Sequence, residues 1–386
     1  MKILNVGDFP VVASNMPPAN NKKKHTKISP DHWFTSQLMQ WHHTQNRREM
    51  PWKGEKDPYR IWLSEIILQQ TRVEQGWAYY LRFTDAYPTV QQLAAAPDEA
   101  VFKLWEGLGY YSRCRNLLAA ARQIVEQYGG EFPADYQQII NLKGVGPYTA
   151  AAIASFAFGL PYAVVDGNVV RVLARFFGID TPFDSTEGKK LFADKARQLL
   201  YQPAPGAYNQ AIMDLGATIC TPQKPQCGQC PLAAHCHARL HNLASSLPVK
   251  GKKLQRRDRL LLYAVIQSEA GLLVRRRRQR DVWKDLYELV LIEPADGQVP
   301  PLAEWQAMLR AQLQIPGLVL TNVHGPLRQE LTHQNIRAML AHARLKNQPA
   351  PAGYEWADEQ RLQQLAFPRL LARYLRQSKG TQSSIF

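Results

Sequence analysis

From Pro30 to Leu240 apolar side chains return at spacings of three and four, which is the period of helices that bury one face. The clearest stretches are Ile61 to Arg72, Val101 to Trp105, Asn116 to Tyr128, Ala150 to Phe158, Val169 to Phe177 and Ala207 to Cys220. Gly-Gly, Gly-Leu-Gly and Asp-Gly punctuate them, and strand-like alternation is scarce, so an all-α domain is predicted. The pattern breaks between His241 and Asp258, where polar and basic residues dominate and an interdomain linker is expected. Beyond it Leu260 to Gln267 is an apolar run of strand length. Leu272 to Arg275 follows the turn residues Glu269-Ala270-Gly271 and predicts a hairpin. Leu286 to Glu293 predicts a further strand, Trp305 to Leu313 and Glu359 to Leu375 predict helices, and the second domain is therefore α+β.

These patterns divide the chain into a loose tail at 1–29, a helical domain at 30–240, a linker at 241–258, an α+β domain at 259–378 and a short tail at 379–386. The formal net charge of +15 favours a polyanionic partner, of which nucleic acid is the commonest. Lys22-Lys23-Lys24 in the first tail could touch phosphates, although a plain disordered leader fits the composition at least as well. No apolar stretch is long enough to span a bilayer, and Asp8 and Pro10 spoil a signal peptide. Four of the five cysteines crowd between Cys220 and Cys236, unlike a secreted disulfide scaffold. A reducing cytoplasm is expected, with nucleoid association if the source is bacterial.

Four places carry candidate chemistry. Cys220, Cys227, Cys230 and Cys236 form C-x6-C-x2-C-x5-C, and four thiolates so close in sequence suit either a structural zinc or a [4Fe–4S] cluster. Between two helical segments, Leu142-Lys143-Gly144-Val145-Gly146-Pro147-Tyr148 has glycines for a tight turn and a proline for the first turn of a helix whose free N–H groups can bind phosphate. Glu65 stands among apolar neighbours in Ile61-Trp62-Leu63-Ser64-Glu65-Ile66-Ile67-Leu68-Gln69-Gln70-Thr71. Desolvation there would raise its pKa and let it hold a proton near neutrality. Asp166, in Val165-Asp166-Gly167-Asn168-Val169, has the position of a helix N-cap.

Taken together, the strings W-L-S-E-x-x-L-Q-Q-T, G-L-G-Y-Y, L-K-G-V-G-P-Y-T-A and D-G-N-V-x-R-V, followed by the cysteine loop, resemble the MutY family of the helix-hairpin-helix, or endonuclease III, superfamily. The resemblance runs from about Pro30 to Leu375 and is stronger before Asp258 than after it. It implies an all-α helix-hairpin-helix glycosylase domain with a [4Fe–4S] cluster loop at 220–236, then an α+β Nudix-like domain. The implied activity is excision of adenine mispaired with 8-oxoguanine or guanine in double-stranded DNA. Glu65 would protonate the adenine at N7 and Asp166 would stabilise the sugar cation, with Tyr148 and Asn168 orienting them. Bifunctional relatives carry a lysine where this chain has Tyr148, which has no amine to form an imine with the sugar; a monofunctional enzyme is expected. Trp52 matches a wall of the adenine pocket, and Gln70 and Thr71 match positions near the lesion. Tyr110 matches a side chain wedged beside the oxidised base, and Gly144 and Gly146 match the phosphate-binding hairpin.

In the Nudix-like part the R-E-x-x-E-E metal cluster of Nudix hydrolases is absent, and Arg275 to Arg278 supply cations instead. Recognition rather than pyrophosphate hydrolysis is expected. Where many relatives have F-S-H in a lesion-reading loop, this chain has Leu331-Thr332-His333; the same residues could simply end a strand. The chain is expected to act as a monomer and not to bind membranes. Two other readings compete: a bifunctional endonuclease III-like glycosylase and lyase for damaged pyrimidines, and a non-catalytic DNA-binding or redox-sensing module.

Overall fold

A computed structural model describes residues 29–251 and 255–381, with side chains to Gln377. The Lys22–Lys24 run, Lys252 and Lys253 of the linker, and residues 382–386 of the second tail lie outside the described residues.

The first part is helical: α1 Pro30–Thr44, α2 Pro58–Leu68, α3 Val73–Ala86, α4 Val90–Ala95, α5 Asp98–Trp105, α6 Tyr111–Tyr128, α7 Tyr136–Ile140, α8 Pro147–Phe158, α9 Gly167–Phe177, α10 Thr186–Leu199, α11 Pro205–Thr218 and α12 His237–Leu240. Two apolar cores organise it. One gathers Trp62, Leu63, Phe83, Trp105 and Ile124 from α2 to α6. The other gathers Phe34, Leu38, Leu173, Phe192 and Ile212 from α1, α9, α10 and α11. Helix α8 is shared: Ala150 and Ile153 face the first core, Ala151 and Ala152 the second. A helix that is apolar all round belongs in such a place, and its start lies at the seam between the lobes.

The second part contains β1 Arg257–Ser268, β2 Gly271–Arg276, β3 Tyr287–Ile292, α13 Leu302–Leu313, β4 Thr321–Glu330, β5 Gln334–Arg344, β6 Glu355–Ala357, α14 Glu359–Gln364 and α15 Arg369–Thr381. Its sheet has the order β4-β5-β1-β3-β2-β6; β1 and β5 are parallel and the other pairs antiparallel. Successive residues of a strand point to opposite faces. Leu260, Leu262, Ala264 and Ile266 accordingly meet Trp305 and Leu309 of α13, while Leu261, Tyr263 and Val265 join the core that reaches α15 and the helical part. Strand β1 is buried on both faces, hence its continuous apolar run.

Three expectations need correction. The predicted helix from Glu359 to Leu375 is two helices, because Pro368 disfavours helical backbone at the residue before it and the chain extends from Leu365. The second helix continues to Thr381, past the expected start of the C-terminal tail. The stretch after His241 is not wholly a free linker: Leu247 is buried in the second helical core, and Arg175 Nε donates to its carbonyl at 3.1 Å. Strands β4, β5 and β6 were not predicted.

Candidate active site

Helix α2 starts where Asp57 caps the Tyr59 amide and Pro58 fills the first turn. Eight of its eleven residues are buried, Glu65 among them at 6% exposure. Burial raises the Glu65 carboxyl to about pH 7; hydrogen bonding from the Tyr148 phenol opposes the rise, and the charge of Asp166 adds to it. The phenol belongs to the first turn of α8 and is held well above its ordinary range by burial and by the nearby charges of Glu65 and Asp166. Its hydrogen bond goes to Glu65.

Asp166 caps α9, accepting from the Val169 amide at 2.8 Å and from Asn168 Nδ2 at 2.6 Å. Burial lifts its carboxyl, and these donors pull it back. Here the N-cap role and presentation to the cleft coexist. Asn168 is itself fixed by Arg171 Nη2 at 2.8 Å, and Arg171 also reaches the carbonyls of Gly216 and Cys220, both at 2.7 Å.

Glu65, Tyr148, Asp166 and Asn168 line one cavity of about 410 Å³ between the two lobes. That is the size range of small-molecule pockets. Trp52 and Thr71 also line it, and Trp52 packs edge-on against Tyr80 with ring centroids 5.3 Å apart. Gln70 does not: it is exposed, with φ +56° at the turn out of α2.

Arg113 was passed over by sequence reasoning. Its Nη1 donates to the carbonyls of Ile66 and Ile67 at 3.0 and 2.8 Å, and its Nη2 to Thr71 Oγ1 at 3.2 Å, so it ties the free C-terminal carbonyls of α2 to the turn at 107–109. Gln210, one helical turn before Asp214 on α11, was also missed. It lines the cavity, and its amide Nε2 donates to Asp214 Oδ1 at 2.9 Å. Their i,i+4 spacing was the available signal. Asp214 is fully buried and holds Arg48 at 2.9 Å and Lys53 at 3.2 Å, fastening the loop that supplies the cavity wall at Trp52.

The hairpin before α8 is formed as expected. Gly144 has φ +76°, and a Cβ there would stand 2.6 Å from Asn116 Cβ, so glycine is required. Gly146 caps α8 without a side chain and leaves its surroundings open. Tyr110, 44% exposed, also has left-handed backbone, and its hydroxyl meets Thr332 in the turn between β4 and β5. Thr332 and His333 therefore form a loop tip and do not end a strand. The cations expected of Arg275 to Arg278 are largely neutralised: Arg275 and Arg277 bind Glu288, Arg277 also binds Asp281, and Arg276 reaches Asp285.

Cys220, Cys227, Cys230 and Cys236 are free thiols surrounding a small cavity of about 30 Å³. Among the described residues no three His, Cys, Asp or Glu side chains converge closely enough to share one metal ion. Sulfurs spread around a hollow suit an iron–sulphur cube better than one tetrahedral zinc. Arg175 Nη1 lies 3.4 Å from Cys220 Sγ, a cation beside a ligand set that is anionic when loaded. Lys224 of the same loop is exposed.

The chain matches the HhH-GPD superfamily of base excision DNA repair proteins over residues 63–197, the iron-sulfur binding domain of endonuclease III over 220–236 and a NUDIX domain over 262–377. It is 33% identical over 254 residues to an adenine DNA glycosylase of Buchnera aphidicola, covering 66% of this chain and 73% of that protein. With the human adenine DNA glycosylase it shares 45% identity over 215 residues, 53% of this chain and 39% of the human one. Among solved structures, a thermostable thymine-DNA glycosylase superposes with a TM-score of 0.51 at 31% identity, covering 55% of this chain and 97% of the other. Fold and cleft thus define a helix-hairpin-helix base-excision DNA repair enzyme carrying a [4Fe–4S] cluster and a Nudix-like second domain. Within that class, the chain belongs to the adenine DNA glycosylase family. No helix among the described residues is long and apolar enough to cross a membrane.

Proposed function

We propose that this chain hydrolyses the N-glycosidic bond of adenine mispaired with 8-oxoguanine or guanine in duplex DNA. The observation that carries the reading is the meeting of Glu65 and Asp166, from different lobes, in one cavity of purine-accepting size. The adenine leaves the stack and enters it. Glu65, with its carboxyl near pH 7, is partly protonated at neutrality and gives its proton to N7. The C1′–N9 bond then breaks and adenine departs neutral. Asp166 stabilises the oxocarbenium sugar. Ionised Glu65 takes a proton from water as its oxygen bonds to C1′, which leaves an abasic site and restores the acid. Gln210 offers the extruded base a hydrogen-bonding amide.

Tyr148 occupies the place from which an amine would attack the sugar, and the two lysines of the cavity are engaged elsewhere. Lys53 holds Asp214 and the Arg48 carbonyl, and Lys56 donates to the Phe156 carbonyl at 3.0 Å. A monofunctional reaction follows. Tyr110 wedges beside the oxidised base, Thr332 and His333 read it, and Gln70, at the exposed turn, contacts the backbone nearby. Gly144 and Gly146 bring backbone N–H groups to a phosphate, and the four cysteines hold the cluster, which fixes the loop carrying Lys224.

The test uses duplexes with adenine opposite 8-oxoguanine, guanine or thymine. Alkali-labile sites are expected opposite the first two, with no strand nicking before alkali. Nicking without alkali, or damaged pyrimidine as the base released, would favour the bifunctional alternative.

A further inference from the structure

The helical and sheet-bearing parts are joined through one short segment. Among the described residues, each side-chain hydrogen bond between them involves a residue from 99 to 115. Glu99 takes two bonds from Arg361 of α14, at 2.7 and 3.0 Å. Lys103 donates to the Leu365 carbonyl at 2.9 Å, and Glu106 accepts from the Phe367 amide at 2.9 Å. Tyr110 meets Thr332, and Arg115 donates to the Lys284 carbonyl at 2.7 Å. The segment is α5, a glycine turn and the start of α6, so Glu99 and Tyr110 stand at two ends of one short lever.

The two ends grip opposite borders of the sheet. Thr332 lies at the turn leaving β4, one edge strand. Arg361 also contacts Glu355 of β6, the other edge, at 3.3 Å, and Tyr287 Oη of β3 at 3.2 Å. A body held at one border can pivot about it; held at both, it cannot. The Arg361–Glu99 pair is a planar, two-pronged contact, the geometry in which arginine fixes orientation as well as distance.

We infer that Glu99 and Arg361 are positioning residues for lesion recognition: their ion pair sets the angle of the sheet against α5 and so brings Thr332 to Tyr110. Neither touches the adenine cavity. Their loss affects the choice of base opposite adenine and spares the bond-breaking step. This inference rests on the proposed function, since it concerns discrimination at that same site.

The test is a charge-swap cycle in the full-length protein: Glu99→Arg, Arg361→Glu and the double swap, with Arg361→Lys as a milder variant. Two ratios are measured, 8-oxoguanine over guanine opposite adenine, in single-turnover excision and in anisotropy binding to duplexes carrying a non-hydrolysable 2′-fluoro adenosine. Each single swap is expected to lower both ratios by about 5-fold or more while the guanine:adenine excision rate stays within about 2-fold. The double swap should regain most of the loss, and Arg361→Lys should fall between. If a single swap fails to fold, Arg361→Lys and the double swap carry the comparison. Ratios unchanged in the variants, with a discriminating parent, overturn the inference. A parent that shows no preference overturns the proposed function instead.

Discussion

Tyr110 and Thr332, 222 positions apart in the chain, meet through their hydroxyl groups at the boundary between the helical and sheet-bearing parts. Arg113 lies under the same tyrosine, its guanidinium 5.4 Å from the ring centre, and holds the end of the helix that carries Glu65. The proposed lesion-reading residues and the proposed acid are thus two contacts apart. Thr332→Ala removes one hydroxyl from this arrangement. A neutral hydrogen bond contributes about 1 kcal/mol, so preference for 8-oxoguanine over guanine opposite adenine should fall by roughly 5-fold. Thr332→Ser should keep most of it. Equal discrimination in the alanine variant would remove the contact from recognition.

Arg113 itself is buried, and its loss would strand the carbonyls of Ile66 and Ile67. Arg113→Ala should destabilise the protein by about 3 kcal/mol, because buried acceptors lose a charged donor. Chemical denaturation of the two proteins checks this, and a change below about 1 kcal/mol would contradict it.

How much of this was written in the chain can be judged residue by residue. Glu65 was legible because its neighbours are nearly all apolar, and Asp166 because Asp-Gly-Asn before an apolar helix is an N-cap pattern. The run of β1 was legible because both its faces are buried. Strand β4 was not: it is an edge strand whose residues are mostly exposed, so Thr321 to Glu330 shows no buried alternation. The arginines at 275–277 read as free cations, because their partners Asp281, Asp285 and Glu288 come beside them only when β2 and β3 pair. Arg113 escaped notice because its importance lies in what it touches, and Gln210 because its one signal, the i,i+4 spacing to Asp214, is common on helices.

The elevated Glu65 carboxyl has a pH signature with a definite sign. Its folded value of about 7 lies above the unfolded value of 4.5, so the folded state holds the proton more tightly. Stability should therefore decline as pH rises from the unfolded value to about 7 and then level off. The decline is on the order of 3 kcal/mol. Glu65→Gln should lack that decline, and stability curves at pH 5 and pH 8 would show parallel behaviour if the assignment were wrong. Excision by the parent should weaken as pH rises through about 7, because the acid is then spent before it meets adenine.

The four cysteines lead to a simple observation on the purified protein. A [4Fe–4S] cluster gives a brown solution with broad visible absorption and about four irons per chain. Loss of iron should loosen the loop that Arg175 ties to the end of α9 and Arg171 to its start, and so disturb Asp166 and Asn168. Colourless protein containing zinc would contradict the assignment.

The most direct test of the central claim, that a buried acid at position 65 drives purine departure, is release of free adenine by Glu65→Gln from an 8-oxoguanine:adenine duplex in a single turnover. The amide keeps the shape of the side chain but has no acidic proton to give. Duplex binding close to that of the parent is predicted, with adenine release lowered by about 100-fold or more. Release within a few-fold of the parent would show that the proton comes from elsewhere.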